Sequence, residues 1–362
     1  MLDVKLKFQP GHADGKDWMS GGPVKVLFWN VTRSCNFNCQ ICFSNSGAPD
    51  PDELTLPEAK TLIRRAHELG VVDFIITGGE PFMRPDLLEI LSCMAELGIT
   101  ARIATNGSLL TEKLVERIRR ETRTTSFLIS LDSLDPCIYS EIHRVPPIQL
   151  EKALEALRFV RAHDFHTTVS IRLTPQTLPG IIDIVDRAAD EGWATISLQR
   201  PIFSGRVEGA WPPMFDVLPL LEPVFEHFLS MPSRWRVETY MPWARYHPVI
   251  QKLEEKIPVG HVGCGAARGI AVIQPSGRVV PCVCFDVPAS AMGNVRDQDL
   301  RAIFENSPVQ AMMMHPQDYG ICDGCTHLRT CGGGCRATAF ALSGNLAGAD
   351  ETCPLRRAAP RQ

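Results

Sequence analysis

Thirteen cysteines stand in this chain, and their spacing is its first chemical signal. Three fall within eight residues, Cys35-Asn-Phe-Asn-Cys39-Gln-Ile-Cys42. A short loop with this spacing can aim three thiolates at one point. Cubane iron–sulfur clusters are normally held by four cysteines, so a triplet on a [4Fe–4S] cluster leaves one iron open to another ligand. Zinc is the alternative for clustered thiolates, but no His or fourth Cys stands beside these three in the sequence. A second field runs through Cys264, Cys282, Cys284, Cys322, Cys325, Cys331, Cys335 and Cys353. It suits further iron–sulfur clusters or a pair of structural zinc sites. Gly332-Gly333-Gly334, between two of its cysteines, lets the backbone turn around a cluster and present N–H groups to sulfide.

Other groups able to bind a ligand lie between the two fields. Thr77-Gly78-Gly79-Glu80-Pro81 offers close backbone approach at its glycines and a carboxylate acceptor at Glu80. Asn106-Gly107, Ser130-Leu131-Asp132 and Arg144 follow, with Arg172 further on. An arginine can clamp a carboxylate bidentately, which makes Arg144 the first candidate and Arg172 the second. His143 and His166 are possible bases, although a lone histidine is more often structural. Cys93 sits at an apolar helical position and reads as core.

These groups need elements to position them, and the sequence supplies an alternation. Strand-like stretches fall at 24–30, 72–77, 100–105, 126–131, 167–173 and 195–199. Helical spacing falls at 56–69, 85–97, 111–120, 148–162 and 178–191. Strand–helix alternation predicts a parallel sheet with right-handed crossovers. Barrel-type sheets place ligands at the C-terminal strand ends, and the cysteine triplet follows the first strand directly. Composition alone leaves an open doubly wound sheet and a barrel equally available. Residues 1–23 read as an irregular lead-in, and 24–205 as the core domain. Proline and tryptophan crowd 201–260, which reads as a bridging region over 206–260 with one helix near Leu218–Leu229. Its aromatics either line a cleft or pack between domains, packing being the commoner role. A cysteine-rich domain over 261–353 and a tail over 354–362 complete the division.

Bulk properties narrow the class. With 362 residues, 44% of them hydrophobic, the chain can bury one large domain or two. Its formal charge of −4 gives no general attraction to nucleic acid or membrane. No apolar run approaches a membrane span, and the N-terminus lacks the apolar core of a secretory signal, so a cytoplasmic protein is expected. In that compartment an odd number of tightly clustered cysteines points to metal rather than disulfides.

The C-x3-C-x2-C triplet with the Gly-Gly-Glu-Pro turn one βα unit later resembles the radical S-adenosylmethionine (SAM) superfamily. The resemblance implies a partial (β/α)6 TIM-like barrel. Its cluster on Cys35, Cys39 and Cys42 binds SAM at the open iron. Gly78, Gly79 and Glu80 would hold the SAM amino group, Asn106 and Ser130 the ribose or carboxylate, and Arg144 the carboxylate. One departure is Ile41, where the family usually places an aromatic residue near adenine. The implied chemistry is reductive cleavage of SAM to a 5′-deoxyadenosyl radical, which abstracts hydrogen from substrate. In some family epimerases a cysteine returns the hydrogen, and Cys137 is the candidate here.

The cysteines from Cys264 to Cys353 resemble a SPASM domain with two auxiliary iron–sulfur clusters. By position, Cys322, Cys325, Cys331 and Cys353 would bind one, and Cys264, Cys282 and Cys335 the other. Several members carry a further cysteine between the first two, absent here, which leaves three alternatives: Cys284 as fourth ligand, an iron left open, or a smaller cluster. The branch implied is that of peptide maturases and haem-biosynthetic enzymes. The first expectation is an oxidoreductase that oxidises or cross-links a ribosomally made precursor peptide, helped by a separate recognition protein. The alternative is a dehydrogenase or epimerase of a small molecule, such as an aminocyclitol sugar or a tetrapyrrole side chain. Either needs a low-potential electron donor, a flavodoxin or ferredoxin.

Overall fold

A computed structural model of the chain describes residues 5–8, 24–200, 202, 204–207, 217, 219–231, 236–239, 248–255, 259–261, 264–267, 270–319, 322–350, 352, 353 and 355. The chain enters on β1 (Lys5–Phe8). Six strands then alternate with helices: β2 (Val26–Asn30), β3 (Asp73–Thr77), β4 (Thr100–Thr105), β5 (Thr124–Ser130), β6 (His166–Arg172) and β7 (Thr195–Gln199). The intervening helices are α1 (Leu56–Leu69), α2 (Leu87–Glu96), α3 (Glu112–Glu121), α4 (Pro136–His143), α5 (Ile148–Ala162) and α6 (Ile181–Glu191). The six strands lie side by side in sequence order, all parallel, as a partial TIM-like barrel.

Both edges of this sheet are extended. Beyond β7 come β8 (Arg236–Thr239), then β1, then β9 (Val259–His261), all parallel. Beyond β2 comes β10 (Val272–Ile273), paired in parallel, followed by the antiparallel β11 (Arg278–Val280) and β12 (Gly293–Asn294). The cysteine-rich segment is therefore continuous with the barrel sheet at β10.

Side-chain alternation decides what faces inward. Leu27, Trp29, Phe74, Ile76, Phe127 and Ile129 are fully buried on the helix-covered face. Their neighbours in sequence point the other way, as period two requires. Register lines up Phe28, Ile75, Arg102, Ser126 and His166 across five strands, and all five face an interior cavity. The helices close the outside for local reasons. In α1, Thr55 and Glu58 form a capping box, and Gly70 ends the helix in the left-handed region at φ +93°. Ala59, Leu62, Ile63 and Ala66 give that helix its buried stripe.

The expected alternation holds within a residue or two at most boundaries, with three differences. First, the loop expected after the fourth core strand contains α4. Asp135 caps it by accepting the Cys137 N–H at 2.7 Å, and Pro136 occupies its first turn. Second, the lead-in over 1–23 is not wholly irregular, because Lys5–Phe8 pairs with strands on both sides. Third, the helix near Leu218–Leu229 is a short 3₁₀ turn, Pro219–Leu221, leading into α7 (Glu222–Ser230). The tryptophans of the bridging region lie outside the described residues.

Candidate active site

One cavity of about 560 Å³ opens at the C-terminal ends of the barrel strands. The loop after β2 gives it Cys35, Cys39 and Cys42. The turn after β3 gives Gly78 and Gly79, and β4 leads into Asn106. Ser130 ends β5, Arg172 ends β6, and Arg200 follows β7. Cys264, Cys282, Cys284 and Cys335 line the same space.

The triplet loop is pinned from several sides. Cys35 donates its N–H to Gly47 O at 2.9 Å, and Gly47 returns one to Arg33 O at 3.0 Å. The Asn38 and Gln40 N–H groups donate to His143 O and Ile142 O at the end of α4, at 3.3 and 2.8 Å. The segment after β7 grips the loop as well. Arg206 donates Nε–H to Cys39 O at 2.7 Å, and Nη1 to Ser46 O at 2.8 Å. Its own N–H reaches Cys42 O at 2.9 Å. Gly205, at φ +64°, packs so closely on the Cys42 and Phe43 carbonyls that a Cβ would collide with both.

Each sulfur has at least one polar neighbour. The Phe37 N–H donates to Cys35 Sγ at 3.4 Å, Ser44 Oγ lies 3.4 Å from Cys42 Sγ, and His143 Nδ1 lies 3.1 Å from Cys39 Sγ. Burial pushes the Cys35 thiol up to about 11 and raises Cys39 further, with the neighbouring thiols adding to it. Burial also acts on Cys42, but hydrogen bonds from Ser44 and Ser46 and the Arg206 charge outweigh it and hold this thiol below its ordinary range. A cationic group bound among these sulfurs would offset the cost of burying them as thiolates. Among the described residues, no three His, Cys, Asp or Glu side chains stand together as a ready site for a single metal ion. Thiolates spread around one cavity suit a polynuclear cluster, with Cys35, Cys39 and Cys42 as its holders.

The Gly78–Glu80 turn supports the loop from below. The Gly79 and Glu80 N–H groups donate to Thr32 O and Ser34 O at 2.7 and 2.8 Å. Glu80 is fully buried and does not line the cavity. Its carboxylate accepts from Thr105 Oγ1 at 2.7 Å, the Asn106 N–H at 2.8 Å and the Phe82 N–H at 3.2 Å. Burial pushes it up to about 7, against the pull of those donors. Asn106 in turn donates Nδ2 to Asn36 Oδ1 at 2.9 Å, joining β4 to the triplet loop.

The auxiliary cysteines form two groups. Cys264, Cys282, Cys284 and Cys335 face the cavity, and the Cys282 and Cys284 side chains hydrogen-bond each other. That bond raises Cys282, with burial adding to it, and holds Cys284 low, where Arg172 and Arg200 help it against burial. Arg200 is 2% exposed, and its Nε has no hydrogen-bond partner among the described residues. Burial disfavours the charge on Arg200, but Cys335, Asp350, Cys284 and Cys264 outweigh it. Away from the cavity, Cys331 accepts the Gly334 N–H at 3.2 Å, and burial pushes its thiol up to about 12. Cys353 and Cys322 lie within its field, and Cys325 donates its N–H to Cys322 O at 3.0 Å.

The structure thus brings Gly78, Gly79, Asn106 and Ser130 together with the triplet, and leaves others outside. Arg144 caps α4 in the left-handed region at φ +52°, exposed and off the cavity. Arg172 takes the lining position, with its guanidinium 5.3 Å from the Phe43 ring centroid. Cys137 sits in the first turn of α4, exposed and off the cavity, because Asp135-Pro136 starts a helix there. Cys93 is buried in α2. His166 lines the cavity floor. Sequence reasoning missed Arg206, Arg200 and the Asp132–His143 contact; the only local signal was the Ser204-Gly205-Arg206 turn after the last barrel strand.

Comparison with known proteins agrees with this layout. Residues 29–192 match the Radical SAM superfamily model, and residues 264–326 match SPASM, an iron–sulfur cluster-binding domain. The AdoMet-dependent heme synthase of Methanosarcina barkeri is 27% identical over 353 residues, 93% of this chain and 98% of that one. The mycofactocin maturase MftC of Mycobacterium tuberculosis is 28% identical over 329 residues, 90% of this chain and 82% of that one. Among solved structures, Streptococcus suis SuiB bound to S-adenosylmethionine aligns at a TM-score of 0.72 and 19% identity, covering 92% of this chain and 78% of that one. Native anSMEcpe with bound AdoMet and a Cp18Cys peptide aligns at 0.69 and 17%, covering 93% and 95%. At such identities the structural likeness is one of fold.

Proposed function

We propose, for a chain that belongs to the radical SAM superfamily and carries a C-terminal SPASM domain, that it oxidises a biosynthetic substrate held between its two cysteine groups. A radical SAM domain takes a [4Fe–4S] cluster and S-adenosylmethionine, and a SPASM domain takes auxiliary iron–sulfur clusters. When bound, they supply a 5′-deoxyadenosyl radical and an acceptor for the electron left on substrate. Cys35, Cys39 and Cys42 hold the first cluster. Gly78 and Gly79 set the wall beside it, and Asn106, Ser130 and Arg172 orient the nucleotide. Cys264, Cys282, Cys335 and Cys284 hold the near auxiliary cluster, with Cys284 as the fourth ligand. Cys322, Cys325, Cys331 and Cys353 hold the far one. The observation that carries this reading is the single cavity lined by both the triplet and Cys264, Cys282, Cys284 and Cys335.

The first substrate reading is a residue of a ribosomally made peptide, delivered with a separate recognition protein and supplied with electrons by a flavodoxin or ferredoxin. The relation to MftC, named a maturase, supports it. A second reading, an acidic small molecule such as a tetrapyrrole side chain, is favoured by Arg200 in the cavity wall. The relation to the heme synthase over nearly the full length of both chains also supports it.

Anaerobic iron and sulfide quantitation tests the core of the proposal. Three cubanes give about 12 iron per chain, and the Cys35/Cys39/Cys42→Ala triple variant loses about four. With dithionite, wild type yields 5′-deoxyadenosine from SAM and the variant does not. A wild-type value near four iron, or SAM left intact, removes the proposal. Host extract split into peptide and peptide-free fractions then separates the substrate readings by which fraction raises the 5′-deoxyadenosine yield.

A further inference from the structure

Three polar contacts to the triplet sulfurs differ in origin. Phe37 N–H and Ser44 Oγ sit two residues from the sulfurs they meet, inside the loop itself. The third, His143 Nδ1, comes from the last turn of α4, 104 residues from Cys39 in sequence. Holding three cysteines in a loop does not require it. His143 is 2% exposed. The Tyr139 ring centroid lies 4.3 Å from its own, and that of Phe37, within the triplet loop, lies at 5.7 Å. Its Nε2 stands 3.1 Å from Asp132 Oδ2, off the line of a hydrogen bond. Asp132 is itself 2% exposed and anchored by the Arg172 N–H, which donates to Oδ1 at 2.5 Å. A buried acid thus faces one ring nitrogen, and a cysteine sulfur faces the other.

We propose that His143 is a positioning residue for the triplet's cluster: its Nδ1–H donates to Cys39 Sγ, fixes the direction of that thiolate and makes the bound cluster easier to reduce. This rests on the reading that the triplet holds a cluster. Hydrogen bonds to sulfur are among the main determinants of iron–sulfur potentials. A donor N–H stabilises the more negative, reduced state more than the oxidised one. The effect is enlarged where water is excluded, as it is around His143. The Tyr139 and Phe37 rings packed on it keep the imidazole edge aimed at the sulfur.

The test is an EPR-monitored redox titration of the reconstituted full-length protein, following the signal that changes when SAM is added. In His143→Leu, the ratio of reduced to oxidised cluster at a fixed ambient potential falls roughly tenfold, about 59 mV for a one-electron couple. His143→Asn, which keeps an N–H near the Nδ1 position, recovers most of that shift. The auxiliary signals stay where they were in both. An unshifted SAM-sensitive signal in His143→Leu overturns the inference. If His143→Leu fails to keep the cluster, pulsed EPR on wild type carrying ¹⁵N-histidine decides. A histidine nitrogen coupled to the reduced SAM-sensitive cluster supports the hydrogen bond, and no such coupling overturns it. Absence of any SAM-sensitive signal in wild type instead sinks the cluster assignment itself, a separate failure.

Discussion

Gly79→Ala isolates the coupling between the β3 turn and the cysteine loop. Gly79 is not in the left-handed region, so alanine is allowed by its backbone angles. The obstacle is steric. An added Cβ would overlap Ser34 O and would stand 2.7 Å from both Arg33 O and Ser34 C. All three are backbone atoms and cannot swing aside. Relief requires the turn and the loop to separate, which breaks the Gly79 N–H bond to Thr32 O at 2.7 Å and the Glu80 N–H bond to Ser34 O at 2.8 Å. Each of the two bonds contributes about 1 kcal/mol, and the groups left unpaired add about 1 kcal/mol more, about 3 kcal/mol in all. For a domain of this size that lowers the melting midpoint by about 6–12 °C. Because the loop moves with the turn, the triplet's iron, about four per chain, is lost. Gly98→Ala is the control: Gly98 has φ +75° and nothing within 4 Å of the added Cβ. It costs about 1–2 kcal/mol of backbone strain and leaves the iron in place. The assays are scanning calorimetry and iron quantitation under argon. Full iron and an unmoved midpoint in Gly79→Ala would refute the idea that this turn holds the loop.

Two further predictions concern the nucleotide site and its buried acid. Arg172→Met weakens SAM binding roughly tenfold or more, the worth of one charge-assisted hydrogen bond, whereas Arg144→Ala changes it less than about twofold because that side chain is outside the cavity; anaerobic titration calorimetry checks both, and the opposite order refutes the assignment. Glu80, held up to about 7 by burial, keeps its proton in the native state at pH values where the unfolded chain has lost it. Its contribution is therefore complete below about pH 4.5 and fades as pH rises through about 7. Denaturation at about pH 5 and about pH 9 should show wild type losing stability relative to Glu80→Gln as pH rises, and a pH-independent difference would contradict the direction of the shift.

Much of the barrel was legible because strand and helix periods alternate cleanly and glycines punctuate the helix ends. Gly70 and Gly192, each the residue just past a stretch of helical spacing, both adopt left-handed caps. The α4 helix was not legible, since Asp135-Pro136 reads equally as a turn or as a cap followed by proline at the first helical position. The cysteine groups were visible as types and spacings, but their sharing of one cavity was not. Nor could spacing reveal that His143 meets Cys39, or that Arg206 clamps the triplet loop from beyond the sixth core strand. Those contacts depend on which strand ends the barrel gathers, and local sequence carries no record of them. Arg144 shows the reverse: its chain position suggested a ligand, while the helix it terminates turns it outward.

The position of the cysteine-rich segment has a physical cause in the sheet. As the first of the six core strands, β2 would leave an open edge of unpaired backbone groups on that side. The two-residue strand β10 covers it in parallel, setting Val272 opposite Phe28 and Ile273 opposite Trp29, and the antiparallel β11 and β12 extend the cover. Phe28 also donates its N–H to Ala271 O at 3.0 Å. This pairing fixes the segment from 264 to 284 against the strand whose own C-terminal end launches the triplet. Cys264 precedes the pairing and Cys282 and Cys284 follow it, so registering β10 on β2 brings both cysteine groups to the same cavity mouth. A one-residue slip of β10 would turn its side chains to the opposite face and carry Cys264 and Cys282 off the cavity wall together. The edge pairing thus does two things at once: it protects the first core strand, and it sets the relation between the cysteine triplet and Cys264, Cys282 and Cys284.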